Sequence, residues 1–159
     1  MIDPIQRFED EHQHALGELA KLEVAARALA EGTGEEEVHF AAARSAYDFL
    51  TSAVREHNEN EEIALFSLLG EEIPTEPFVE DHIALRSMER RLLDAIGARE
   101  VGKVAAAGLA IVDVLRDHID REDNLLFPMA RATLGPEGLV EVARRLDGRH
   151  ASPSVGNDL

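Results

Sequence analysis

The sequence predicts an all-α chain, an up-down-up-down antiparallel four-helix bundle with a short C-terminal helix. Three observations predict it. Alanine, leucine, glutamate and arginine dominate the 159 residues while aromatics make up 4%, a composition of strong helix formers. Apolar residues recur at three- and four-residue spacing along four long stretches. Short glycine- and proline-containing segments separate those stretches, and short connections place successive helices antiparallel.

Taken in order, Asp3-Pro4-Ile5-Gln6 is a helix start, with Asp3 as N-cap, Pro4 in the first turn and Gln6 placed to close a capping box. The helix is expected to run to about Ala30, with Phe8, His12, Ala15, Leu19 and Leu22 inward. Glu31-Gly32-Thr33-Gly34 breaks it, Thr33 with Glu36 can cap the next, and that second helix should reach about Leu69. Its inward stripe reads Tyr47, Leu50, Ala53, His57, Glu61, Ala64 and Leu68. Gly70, Pro74 and Pro77 make the central connection, and a third helix covers roughly Phe78 to Ala98. After a turn near Gly97 the fourth begins at about Val101, with Ile111, Val114, His118, Glu122, Leu125 and Met129 inward and a kink or end expected at Pro128. Gly135-Pro136 starts a fifth helix to about Leu146. Residues 1–147 therefore read as one domain and 148–159 as a disordered tail.

Charge and composition narrow the function. A formal charge of −16 repels phosphate backbones and anionic lipid, so neither nucleic acid nor membrane is expected as a partner. Cysteine is absent, which excludes thiolate metal sites and leaves nitrogen and oxygen ligands. The most apolar run, Val104 to Val112, is too short to span a bilayer, and Met1-Ile-Asp-Pro-Ile-Gln6 lacks a basic region ahead of an apolar one. A soluble cytoplasmic protein is expected.

The chemistry is carried by a repeat. Arg55-Glu-His57-Asn-Glu-Asn-Glu61-Glu62-Ile-Ala-Leu65-Phe66 matches Arg116-Asp-His118-Ile-Asp-Arg-Glu122-Asp123-Asn-Leu-Leu126-Phe127 in register, and Phe8-Glu-Asp-Glu-His12 echoes Phe78-Val-Glu-Asp-His82. Each HxxxE sets an imidazole and a carboxylate one turn apart on one helix face. Burying His12, His57, Glu61, His82, His118 and Glu122 without a cation would leave two carboxylates and four rings to satisfy one another, at several kcal/mol for each failure. Imidazole with carboxylate suits iron, manganese or zinc and disfavours calcium and magnesium. Six ligands exceed one tetrahedral zinc. Two metals use each once: His12 with His57, His82 with His118, and Glu61 and Glu122 bridging. A ferritin-like carboxylate site needs Glu-x-x-His on inward faces twice, but Val79 and Val54 stand where the glutamates before His82 and His57 would be.

The order H, HxxxE, H, HxxxE, with Leu-Phe after each HxxxE, resembles the hemerythrin-like (HHE cation-binding) domain family over about Ile5 to Ala130. The resemblance implies a non-haem di-iron centre with the same six ligands, in a protein that binds or reacts with oxygen, nitric oxide or peroxide, or else senses or stores iron or acts as an iron-dependent interaction module. Two departures matter. Oxygen carriers of the family have HxxxH in the third helix, whereas this chain has His82-x-x-x-Arg86. Their last-helix HxxxxD is also met by His118 and Asp123, so Asp123 competes with Glu122; the repeat favours Glu122, and at about 140° around an ideal helix from His118, Asp123 is expected to be nearly silent on substitution or to stand behind the ligands. Arg86 and Glu89 either reach solvent as a pair or form a polar group behind the metals. His14, His39 and His150 are not expected to be ligands.

Overall fold

The computed structural model describes residues 3–151, and these form a helical bundle without strands among the described residues. Helix α1 is Pro4–Glu31; α2 starts as Glu36–Phe49 and continues through successive turns to Phe66–Leu68; α3 is Glu76–Gly97. Helix α4 starts as Val101–Arg121 and runs on into Phe127–Ala151, which Gly135, at φ 62° and ψ −173°, divides into the end of α4 and a separate α5. Each long helix packs on its chain neighbours and α4 closes the bundle against α1. No helix among the described residues is long and apolar enough to cross a membrane.

Caps explain several boundaries. Asp3 Oδ1 accepts from the Ile5 amide at 2.9 Å, but Gln6 donates to Asp10 and closes no capping box. Thr33 does not cap α2 either: Gly32 and Gly34 are both left-handed, which carries Thr33 away from the first turn, and its carbonyl meets the His39 ring instead. Pro128 sits on the exposed face and ends nothing. The helix expected to stop at Leu146 reaches Ala151, anchored by Arg149 Nε donating to Asn60 at 2.7 Å; residues 152–159 of the expected tail lie outside the described residues.

The main departure is in helix phase. Wide π turns with one extra residue occupy Leu50–Val54, Glu61–Leu65 and Glu122–Leu126. An inserted residue rotates everything after it by most of one residue's arc. Hence Val54 is buried and Ala53 exposed, Leu65 and Leu69 replace Leu68, and Leu126 and Ala130 face inward where Leu125 (56% exposed) and Met129 (38%) were expected. Ahead of the π turn of α4, in regular helix, Leu115 is buried four residues after Ile111 and the expected Val114 is half-buried beside it.

Two apolar clusters form the interior. The larger joins Leu19, Leu22, Leu50, Leu92, Ile111 and Val112. The smaller gathers Ile5, Phe8, Leu65, Phe66, Phe78, Leu126 and Phe127, with Val142 and Leu146 of α5 packed over it. Neither cluster includes the buried His12, His57, Glu61, His82, His118 and Glu122.

Candidate metal centre

Six polar side chains from four helices meet in the bundle interior: His12 from α1, His57 and Glu61 from α2, His82 from α3, His118 and Glu122 from α4. All are at most 7% exposed, and both glutamates are fully buried. They fall into two overlapping groups, His12, His57, Glu61, Glu122 and Glu61, His82, His118, Glu122, within each of which one ligand atom per residue lies inside 4.8 Å of the others. The two carboxylates belong to both. Glu61 spans the groups through separate oxygens, Oε2 at 3.3 Å from His57 Nε2 and Oε1 at 3.4 Å from His82 Nε2. Glu122 Oε1 lies 3.0 Å from His12 Nε2 and 3.3 Å from His118 Nε2.

Each ring is held from behind by a carboxylate on Nδ1. His12 meets Asp123 at 2.7 Å, His57 meets Glu11 at 2.8 Å, His82 meets Glu62 at 2.8 Å and His118 meets Asp81 at 3.0 Å. Such an acceptor fixes the proton on Nδ1 and turns the Nε2 lone pair inward, the arrangement metal-ligating histidines adopt. The four acids obey the repeat: Glu11 and Asp81 each precede a ligand histidine, and Glu62 and Asp123 each follow a ligand glutamate. Sequence reasoning passed over Glu11, Glu62 and Asp81 although this flanking acid was its signal. Asp123 stands outside both groups and reaches across to His12 of α1.

The aromatic packing repeats as well. Phe127 stacks on His12 at 5.4 Å and Phe66 on His82 at 6.2 Å between centroids, while Phe8 meets His57 and Phe78 meets His118 edge-on at 5.3 and 5.7 Å.

Burial by itself would push the imidazoles towards neutrality. For His57 the charge of Glu61, with Glu11 and Glu122, outweighs burial and raises it to about 10. For His118, Glu122, Glu61 and Asp81 outweigh it and raise it to about 9. Burial would lift the Glu61 carboxyl, yet His57 and His82 hold it well below the ordinary range. A metal-free site thus balances its charge by protons on rings. Hydrogen bonding, however, is not satisfied: both oxygens of Glu61, both of Glu122 and Nε2 of His82 and His118 are buried without a hydrogen-bond partner. On the other side His12 Nε2 faces His57 Nε2 at 3.0 Å. Two ligands each about 2.1 Å from one ion stand about 3.0 Å apart at a right angle and about 3.4 Å apart at the tetrahedral angle. The inner contacts of 3.0–3.4 Å fit cations between these atoms.

The other expected residues lie outside this layer. Arg86 is exposed, and Glu89, 3% exposed, pairs with Arg55 Nη2 at 3.1 Å rather than with Arg86. His14 is on the surface against Phe49 at 5.1 Å, and His39 tethers the α1–α2 turn. The His150 side chain falls outside the description.

The hemerythrin HHE cation-binding domain model matches residues 3–149. No curated protein and no solved structure matches significantly.

Proposed function

The chain belongs to the hemerythrin HHE cation-binding family, and on that premise we propose that its buried His4Glu2 layer holds two iron ions and takes oxygen, nitric oxide or peroxide as an exogenous ligand. The reading rests on the sharing of Glu61 and Glu122 by two four-residue groups, in which both oxygens of each glutamate and Nε2 of His82 and His118 are buried without a hydrogen-bond partner. Iron there would supply Lewis acidity and a reversible change of oxidation state; manganese or zinc would satisfy the same donors.

The chain's own residues set the conditions. Glu11, Glu62, Asp81 and Asp123 hold the rings in one tautomer. The phenylalanine cluster covers one side of the layer and limits water there. On the other side an apolar cavity of about 190 Å³, lined by Ala15, Phe49, Val54, Leu115 and Ile119, touches His12, His57 and His118, a space suited to a small uncharged molecule. The repeat explains its position: Ala15 corresponds to Leu85, whose larger side chain is buried in the core at the matching place. The His12–His57 end is therefore the more open one.

Anaerobic loading with ferrous iron, an iron count per chain, and visible spectra before and after oxygen test the reading. Two irons and a new oxygen-dependent absorption support it; a band that reverses under vacuum indicates a carrier or sensor, and immediate irreversible oxidation indicates redox chemistry. Bound iron whose spectrum ignores oxygen, nitric oxide and peroxide alike would replace it with an iron-sensing, iron-storing or iron-dependent interaction module.

A further inference from the structure

Away from the metal layer, among the described residues, Arg86, Arg90 and Arg91 are the arginines that form no ion pair. In a chain of net charge −16, where carboxylates are in excess, unpaired guanidinium groups stand out. Two of the three converge. Arg86 and Arg90, one turn apart on α3, line a depression of about 390 Å³ with Arg55, Glu59 and Tyr47 of α2, above the buried Glu89.

The local charges do not cancel. Arg55 is offset by Glu89 through its Nη2, and Glu59 is approached by Arg149 of α5 at 3.7 Å. Arg86 feels the Glu89 charge only at longer range than an ion pair, so one carboxylate faces both Arg55 and Arg86 while Arg90 forms no ion pair, and Arg55 Nε is buried with no hydrogen-bond partner. The other half of the repeat shows the closed alternative. There Arg116, the counterpart of Arg55, gives both Nη groups to Glu23 at 2.9 and 3.2 Å, and the counterparts of Arg86 and Arg90 are Leu16 and Ala20. Bundle packing thus accepts apolar residues at these positions and requires no arginine. Guanidinium groups supply several fixed donors that match phosphate and carboxylate oxygens.

We propose that this depression binds a small dianion bearing phosphate or carboxylate oxygens, with Arg86 and Arg90 supplying the charge and Arg55 Nε an inner donor. Its volume lies at the lower end of ligand pockets, so a free phosphate would leave room and a phosphate monoester or short dicarboxylate would fill it.

The chain provides its own probe, since Tyr47 is the single tyrosine and there is no tryptophan, so intrinsic emission reports on the depression's wall. Inorganic phosphate, glycerol phosphate and succinate are titrated into the full chain at constant ionic strength, following Tyr47 emission and, in parallel, heat by calorimetry. A saturable response to at least one anion, absent with chloride, is expected. Arg86→Ala and Arg90→Ala should each weaken it roughly tenfold or more, the equivalent of one lost charge-assisted hydrogen bond, while Arg91→Ala, an unpaired arginine outside the depression, leaves it unchanged; metal content should be the same in all. Preference for the phosphates or for succinate assigns the ligand class. No saturation by either readout, or equal weakening in Arg91→Ala, overturns the site.

Discussion

Asp123→Ala removes the acceptor that fixes one of the four rings, and its effect can be worked from one contact. His12 is 3% exposed and its Nδ1 meets Asp123 Oδ1 at 2.7 Å, so the ring proton has little water to turn to. A buried donor left unpaired costs about 1–3 kcal/mol. Asp123 is itself 21% exposed, and water entering the vacated space recovers part of that. The expected loss is therefore near the low end, about 1.4 kcal/mol or roughly tenfold in metal affinity, which is also the lower end for removing an acceptor behind a metal-bound histidine. Asp123→Asn keeps an acceptor oxygen and should lose less. Glu122→Ala differs in kind, because it removes a carboxylate common to both groups and should lower the number of ions held. Anaerobic competition with a chromophoric chelator separates the two effects: Asp123→Ala keeps full stoichiometry at reduced affinity, and Glu122→Ala does not keep it. Asp123→Ala within twofold of the native affinity would refute the role given to the Nδ1 acceptors.

Three further outcomes are expected. His57→Ala and His118→Ala should both reduce the iron content and lower the melting temperature of the loaded protein, because metal bound to the folded state adds its binding energy to folding; full metal content in either variant, by elemental analysis, would remove that residue from the ligand set. In the metal-free chain, His57 near 10 and His118 near 9 stand above the ordinary 6.5, so their protonation stabilises the fold fully below pH 6.5 and that stability is lost as pH rises through those values. Metal must displace these protons, and the gain in melting temperature on loading should grow between about pH 6 and about pH 9; a gain that is flat or falls with pH contradicts the charge balance. Ala15→Leu should fill the cavity beside His12 and His57 and weaken azide binding roughly tenfold with unchanged iron content, as expected for removing space from a preformed pocket; unchanged azide affinity would place the open end elsewhere.

The six ligands were legible because a repeat needs no knowledge of helix phase. His57 with Glu61 and His118 with Glu122 are one turn apart whatever precedes them. Core positions were read less well where they follow a π turn. Ahead of the π turn the buried α2 stripe runs Ala43, Ala46 and Leu50, with the expected Tyr47 half-buried beside it; past that turn the stripe slips from Ala53 to Val54, and α4 slips from Leu125 to Leu126 in the same way. Nothing in Leu50-Thr-Ser-Ala-Val54 announces the extra residue, although the Thr51 and Ser52 hydroxyls do bond back to the carbonyls of Tyr47 and Asp48, at 3.0 and 2.6 Å. Cross-helix pairing was beyond a one-dimensional reading. Arg86 and Glu89 share a spacing that suits an ion pair, but burial of Glu89 under α2 gives it to Arg55, and Asp123 looked remote only while its own helix was considered.

The two halves agree where an error in one would strand a group in the other, and differ where it would not. Glu61 serves a histidine from each group, as does Glu122, so replacing a ligand in either half leaves a buried carboxylate short of partners on both sides. Their Nδ1 acceptors and the four phenylalanines inherit the constraint, since each fixes a ring. Beyond that layer the coupling ends. Ala15 against Leu85 changes only local volume, and Arg86 and Arg90 against Leu16 and Ala20 change only the outer face of one hairpin. Differences between the ends of this site should therefore be sought in those outer positions, and loss of a histidine from either end should disturb both proposed ions rather than one.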